Sequence, residues 1–237
     1  MMILTDGSGR TGVPRIAASL EIIASAGARA GEVFGPLSDG ALYRALLNHD
    51  HALFTGLAQR LADTLARQDC PYVVGDAAEG YNPTHDVCRL LIDAAVTIAG
   101  RRLRRPIGNY QFTLSGDPKR ARFVSGHGQA VVIRLDDTVW AAKTSAVSRY
   151  AARAGGTLLG EVENILGDHG ADVLRTEYLV PVPNGGREHL FASEPPYYES
   201  HGAQRVAEGH YRQLITHDEH ILPLARALRG LADDHEV

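Results

Sequence analysis

Five side chains able to move a proton, hold a cation or donate to an oxyanion fall within residues 76–86: Asp76, Glu79, Asn82, His85 and Asp86. A histidine with carboxylates nearby is a general base or a ligand for a divalent metal. An asparagine amide can donate to the oxyanion that develops on an attacked carbonyl. Tyr81 and Arg89 lie close enough in sequence to contact a substrate held there, and Glu79 joins them in that role. The same residues also read as local structure. Asp76 would then cap a loop, Asn82 would make an Asx turn before Pro83, and Asp86 would open a helix. Arg89 stands at i+3 from Asp86 and i−4 from Asp93, so ion pairing on a solvated helix face would account for it too.

Other polar runs are weaker. Gly7 to Gly12 (GSGRTG) matches G-x-G-x-x-G formally. Asp6 intervenes after the strand, however, and the next helix begins near Pro14, so the run reads as a turn. His217 to His220 (HDEH) places two histidines at i, i+3, a spacing that can chelate, but the polar surroundings favour a solvated face. His49 and His51 flank Asp50 and read the same way. Arg101, Arg102, Arg104 and Arg105 could touch a phosphate, although cations also suit a helix C-terminus. No G-x-S-x-G elbow or Walker loop is present.

The elements that must position the central cluster are legible. Tyr72-Val73-Val74 is a short apolar run that reads as a buried strand ended by Gly75. A helix follows from about His85 or Asp86, with Pro83 in the turn before it. Its apolar positions Val87, Leu90, Leu91, Ala94 and Ile98 fall on one face. A polar loop between a strand end and a helix is where open α/β sheets bind ligands.

Strands are expected at Met1–Thr5, 32–34, 110–114, 130–135 and 177–182. Helices are expected at 14–26, 38–47, 51–67, 136–154, 161–166, 203–215 and 217–230. The alternation predicts an α/β fold, a Rossmann-like three-layer sandwich with a mostly parallel sheet. Met1–Thr5 and Tyr72–Val74 would lie side by side, so that Asp6 and Asp76 face one crevice. No linker or repeat is visible, which gives a single domain over 1–237. Within it, 101–135 forms a strand-loop-strand excursion whose loop is open to motion, and 195–237 forms a C-terminal helical segment.

Composition narrows the classes. Of 237 residues, 44% are hydrophobic and 22% charged, and the formal net charge is −4. That balance suits a globular enzyme or binding protein with a small-molecule substrate, and it argues against nucleic acid as a partner. No signal peptide and no stretch approaching a membrane span is visible. Cys70 and Cys88 show no metal-type pairing, so a reducing cytoplasm is the simplest setting. A homo-oligomer is compatible with all of this.

In order along the chain, MMILTDGS, LSDGALY, NPTHDVCRLLIDAAV, LDDTVWAAKTSAVSRY and RTEYLVPV resemble segments of the PIG-L (LmbE-like) zinc-dependent N-deacetylase family. The resemblance implies a metal-dependent hydrolase of an amide or related C–N bond in a small polar molecule, with or without a sugar ring. It implies zinc as cofactor, with His85 at the place of a zinc-binding histidine; of the nearby carboxylates Asp6, Asp76, Glu79 and Asp86, Asp86 beside it is the candidate second ligand. Asp6 or Asp76 would be the carboxylate partner in catalysis, and Asn82, standing where the family has another histidine, the oxyanion donor. The chain departs from the family in lacking its H-P-D-D-E segment, and it begins where the family's second strand would lie. The alternative expectation is a catalytically inactive relative that binds a small molecule or a partner.

Overall fold

The computed structural model describes residues 1–114, 129–153, 157–182 and 195–234. The expected loop at 115–128 lies outside the described residues. The fold is α/β. The chain folds into two compact units, Met1–Gly40 with Gly116–Val180 and Ala41–Ser115 with Pro181–Val237. It passes between the units three times, so no single linker marks the division.

In the first unit, β1 (Ile3–Thr5) and β2 (Phe34–Leu37) pair in parallel, with α1 (Ile16–Ser25) as the crossover. Gly27, at φ +71°, ends that helix region in the left-handed conformation that glycine adopts without strain. GSGRTG is a turn containing a short 3-10 segment, Gly9–Thr11. The Asp39 carboxylate accepts the Gly9 N–H, so that amide is already committed to the protein. Later in the chain, β5 (Val131–Arg134) runs antiparallel to β6 (Thr176–Pro181), joined through α5 (Asp137–Arg153) and α6 (Thr157–His169). Lys143 of α5 donates to the Leu174 carbonyl at 2.9 Å and pairs with Glu177 of β6.

The second unit is built on helices. α2 (Asp39–Leu47), at whose start the chain leaves the first unit, leads to α3 (His51–Arg67), capped by Asp50 accepting from Leu53 N–H at 3.1 Å. β3 (Tyr72–Asp76), α4 (Pro83–Leu103) and β4 (Gly108–Phe112) form a parallel β-α-β unit, with Tyr72 opposite Gly108 and Asp76 opposite Phe112. α7 (Tyr197–Ala207), a π-helical turn (His217–Ile221) and α8 (Leu222–Asp233) complete it. α4 packs on α3 and α8. Its face of Val87, Leu90, Leu91, Ala94 and Ile98 is buried, as the spacing requires, and Phe54 and Leu57 of α3 and Leu224 and Leu228 of α8 are buried as well.

Several expectations are corrected. Gly75 does not end its strand; β3 continues to Asp76. A Cβ at Gly75 would meet Ile92 Cδ1 at 2.4 Å, so glycine is what lets α4 lie close on β3. The helix after the polar loop starts at Pro83, whose fixed φ and missing N–H suit a first helical position. β1 pairs with β2 and β3 with β4, so the expected side-by-side pairing of β1 with β3 is not formed. The helix expected at 203–215 lies at Tyr197–Ala207, started directly by Pro196. Among the described residues no helix is long and apolar enough to cross a membrane.

Candidate functional site

Asp76 is the last residue of β3, and His85 lies in the first turn of α4. Asn82 places that turn. As N-cap it accepts from Thr84 N–H at 2.8 Å through its side chain, and its carbonyl receives the His85 and Asp86 amides. His85 Nδ1 comes within 2.6 Å of Asp76 Oδ2. A proton on Nδ1 shared with this carboxylate leaves Nε2 with the lone pair of a base. The ring is 42% exposed, so a small molecule can reach it. Burial lowers the imidazole pKa, but the hydrogen bond and charge of Asp76, with the charges of Asp86 and Glu79, outweigh it and hold it above its ordinary value.

Asp86 points the other way. It is 1% exposed, and its Oδ1 accepts from the N–H groups of Glu79 at 3.0 Å and Gly80 at 3.3 Å. Its Oδ2 is buried and has no hydrogen-bond partner among the described residues. Burial raises this carboxyl to about 7, against the lowering effect of those two amides. Asp86 therefore holds the 79–80 loop from below. The rest of that loop is pinned as well. Ala77 N–H donates to Phe112 O at 2.9 Å, Glu79 Oε2 accepts from Leu114 N–H at 2.8 Å, and Gly80 O accepts from Tyr198 N–H at 3.2 Å. Gly80 sits at φ +66°, which its lack of Cβ permits.

Arg89 is buried, at 1% exposure. It donates to Asn109 Oδ1 at 2.7 Å and Tyr110 O at 3.2 Å, and it pairs with Asp93 at 2.8 Å. The pairing with Asp93 matches the helical spacing, but the face is the interior rather than the solvent. As a substrate contact Arg89 is displaced by this packing role. Tyr81 is exposed and stacks on Tyr197 of α7, with ring centroids 5.5 Å apart and planes within 7°. His201 continues the stack at 5.7 Å from Tyr197. Asp6 belongs to the first unit and accepts from Ser8 N–H at 2.9 Å. The Ser8 side chain and amide hold its carboxyl below the ordinary range.

Thus Asp76, Glu79, Tyr81, Asn82, His85 and Asp86 share one strand-loop-helix segment of the second unit, with Arg89 buried in the same helix, and Asp6 shapes a turn of the first unit. Sequence reasoning misses Tyr197, Tyr198 and His201. Pro195-Pro196 immediately before them is the available signal, because proline precedes helices as readily as it breaks them. His220, expected on a solvated face, is 6% exposed. It stacks on His49 at 5.2 Å, turned inward by the π-helical turn and accepting from Thr216 N–H at 3.1 Å.

Zinc requires three or four protein donors in a closed or catalytic site. Among the described residues no group of three or more His, Cys, Asp or Glu is placed to hold a metal ion. His85 offers one nitrogen, and Asp86 is turned to the loop amides. This donor set does not fit the ligation that the family resemblance implies. Cys88 adds nothing to it, since burial pushes its thiol up to about 12. Compared with family models, with curated proteins and with solved structures, the chain finds no match.

Proposed function

We propose that this protein is a hydrolase that cleaves an amide or related C–N bond in a small polar molecule containing a sugar ring. The observation that carries the reading is the 2.6 Å Asp76–His85 pair, with a partly exposed imidazole, at the end of a parallel strand. His85 Nε2 takes a proton from water as the water oxygen attacks the carbonyl carbon. The same nitrogen returns the proton to the amine as the C–N bond breaks. Asp76 positions the ring and favours its protonated form. The Asn82 amide nitrogen serves the oxyanion, its oxygen being spent on the helix cap. Tyr81, exposed and backed by Tyr197, provides an aromatic surface for the sugar.

The PIG-L resemblance and a three-layer Rossmann-like arrangement belong to the same proposal, supported by the parallel β3–α4–β4 unit with polar groups at its strand end. So does a cytoplasmic setting, which the free thiols of Cys70 and Cys88 suit. No step is routed through zinc. The test is turnover of N-acylated amino sugars by the purified protein, with metal content measured on the same sample. Turnover lost in His85→Ala supports the reading, and stoichiometric zinc would require a different donor set from the one described. A second reading, a binding protein without catalysis, is favoured by Asn82, Asp86 and Arg89 all being engaged in structural bonds. Saturable binding of the same sugars with no turnover selects it.

A further inference from the structure

Gly80 is held from two helices of the second unit. Its N–H donates to Asp86 of α4 at 3.3 Å, and its carbonyl accepts from the Tyr198 N–H of α7 at 3.2 Å. The two tyrosines that open α7 are disposed differently. Tyr198 is 6% exposed, and burial together with the charge of the nearby Asp86 raises its hydroxyl above the ordinary range. Tyr197 is 54% exposed, and its ring stacks on Tyr81 and on His201, one turn further along α7.

α7 is itself anchored. Glu199 accepts from His217 N–H at 2.6 Å. Gly202 lies so close to Leu214 that a Cβ there would meet Leu214 Cδ1 at 2.6 Å. The start of α7 is therefore a fixed support for the loop that carries Tyr81. Backbone bonds at Gly80 and the Asn82 cap hold the chain on either side of Tyr81. The stack on Tyr197 restrains the ring as well. An exposed tyrosine otherwise samples several rotamers, and ordering it on binding costs affinity; a ring ordered beforehand avoids that cost.

We propose that Tyr197 is a positioning residue of the site: the first turn of α7 holds the Tyr81 ring in the orientation on which the substrate's sugar stacks. The substrate in this statement rests on the hydrolase reading above, while the support of Tyr81 rests on the geometry alone. In this role Tyr197 contributes to binding and not to the proton transfers of His85.

Kinetics with an N-acylated amino sugar and NMR relaxation of the full chain test the proposal together. Tyr197→Ala should raise KM about two- to tenfold, the worth of one aromatic pair. Its kcat should stay near the parent's, because the interaction lost is made equally in the ground and transition states. Tyr197→Phe keeps the ring and should restore KM. In a Tyr81→Ala background, Tyr197→Ala should add nothing further, since it acts through Tyr81. Without any substrate, relaxation of the Tyr81 ring should show a rigid side chain in the parent and in Tyr197→Phe, and a mobile one in Tyr197→Ala. A parent that turns over no such sugar would end the hydrolase reading, and the relaxation data would then decide the support of Tyr81 alone. An equally rigid Tyr81 in Tyr197→Ala, a fall in kcat without a rise in KM, no rescue by phenylalanine, or KM penalties that add in the double variant would overturn the proposal.

Discussion

His85 is the side chain on which the proposed chemistry turns, and its environment makes separable claims. Replacement by alanine removes a partly exposed ring, so the fold should persist while kcat falls by ~10²–10⁴, the usual worth of a positioned acid–base group. Circular dichroism and steady-state kinetics on His85→Ala check this. Asp76 acts through His85, and the Asp76 hydrogen bond and charge oppose burial in setting the imidazole pKa. Asp76→Asn should therefore lower the His85 pKa, followed by NMR titration of the ring protons. An unmoved titration would mean that the pair does not couple as the geometry says. The residues around this pair show how one polar loop divides its labour. Asn82 caps, Asp86 ties the loop from within, and Arg89 is spent in the core, so most of the polar density in 76–89 builds the site rather than performing its chemistry.

Among the elements, the close seat of α4 on β3 depends on Gly75. Gly75→Ala would drive a methyl against Ile92 Cδ1, and overpacking of this kind costs about 1–3 kcal/mol. Ile92→Val removes the atom in the way, so the double variant should recover part of the loss, a coupling that a double-mutant cycle in urea would read. Additive losses would place the strain elsewhere. The N-terminal end of α4 is set by Asn82. Asn82→Ala deletes the N-cap and should cost about 1 kcal/mol by the same measurement. A fall in kcat beyond what the folded fraction explains would reveal the oxyanion role as well.

For the protein as a whole, the proton inventory of the site predicts which way stability runs with pH. Asp86 titrates near 3.8 when unfolded and at about 7 when folded. Between those values the folded protein holds a proton that the unfolded chain has released, so stability falls as pH rises, by about 4 kcal/mol over the window. His85 adds to the same direction. Its raised folded pKa contributes stability that is full below the unfolded value and lost as pH rises through the folded one. Urea unfolding should show greater stability at pH 5 than at pH 8. Asp86→Asn, which mimics the protonated carboxyl, should flatten most of the slope, and a slope unchanged in that variant would remove Asp86 as its source.

Elements whose signals are local are legible in the chain alone. The four-residue leucine spacing marks His51–Arg67 as one helix, and the apolar periodicity of 87–98 identifies the buried face of α4. A helix exposes its pattern within a few residues because its bonds join i to i+4. Which elements become neighbours, and which side chains meet, depends on the folded arrangement. β1 could have lain beside β3 by pattern alone, and it pairs with β2. Arg89 reaches Asn109 twenty positions away, Tyr81 stacks on Tyr197, and His49 on His220. None of these pairs leaves a mark at fixed spacing. They follow from burying apolar faces across long separations, where packing selects the register and a polar side chain bonds whatever partner that register brings within reach.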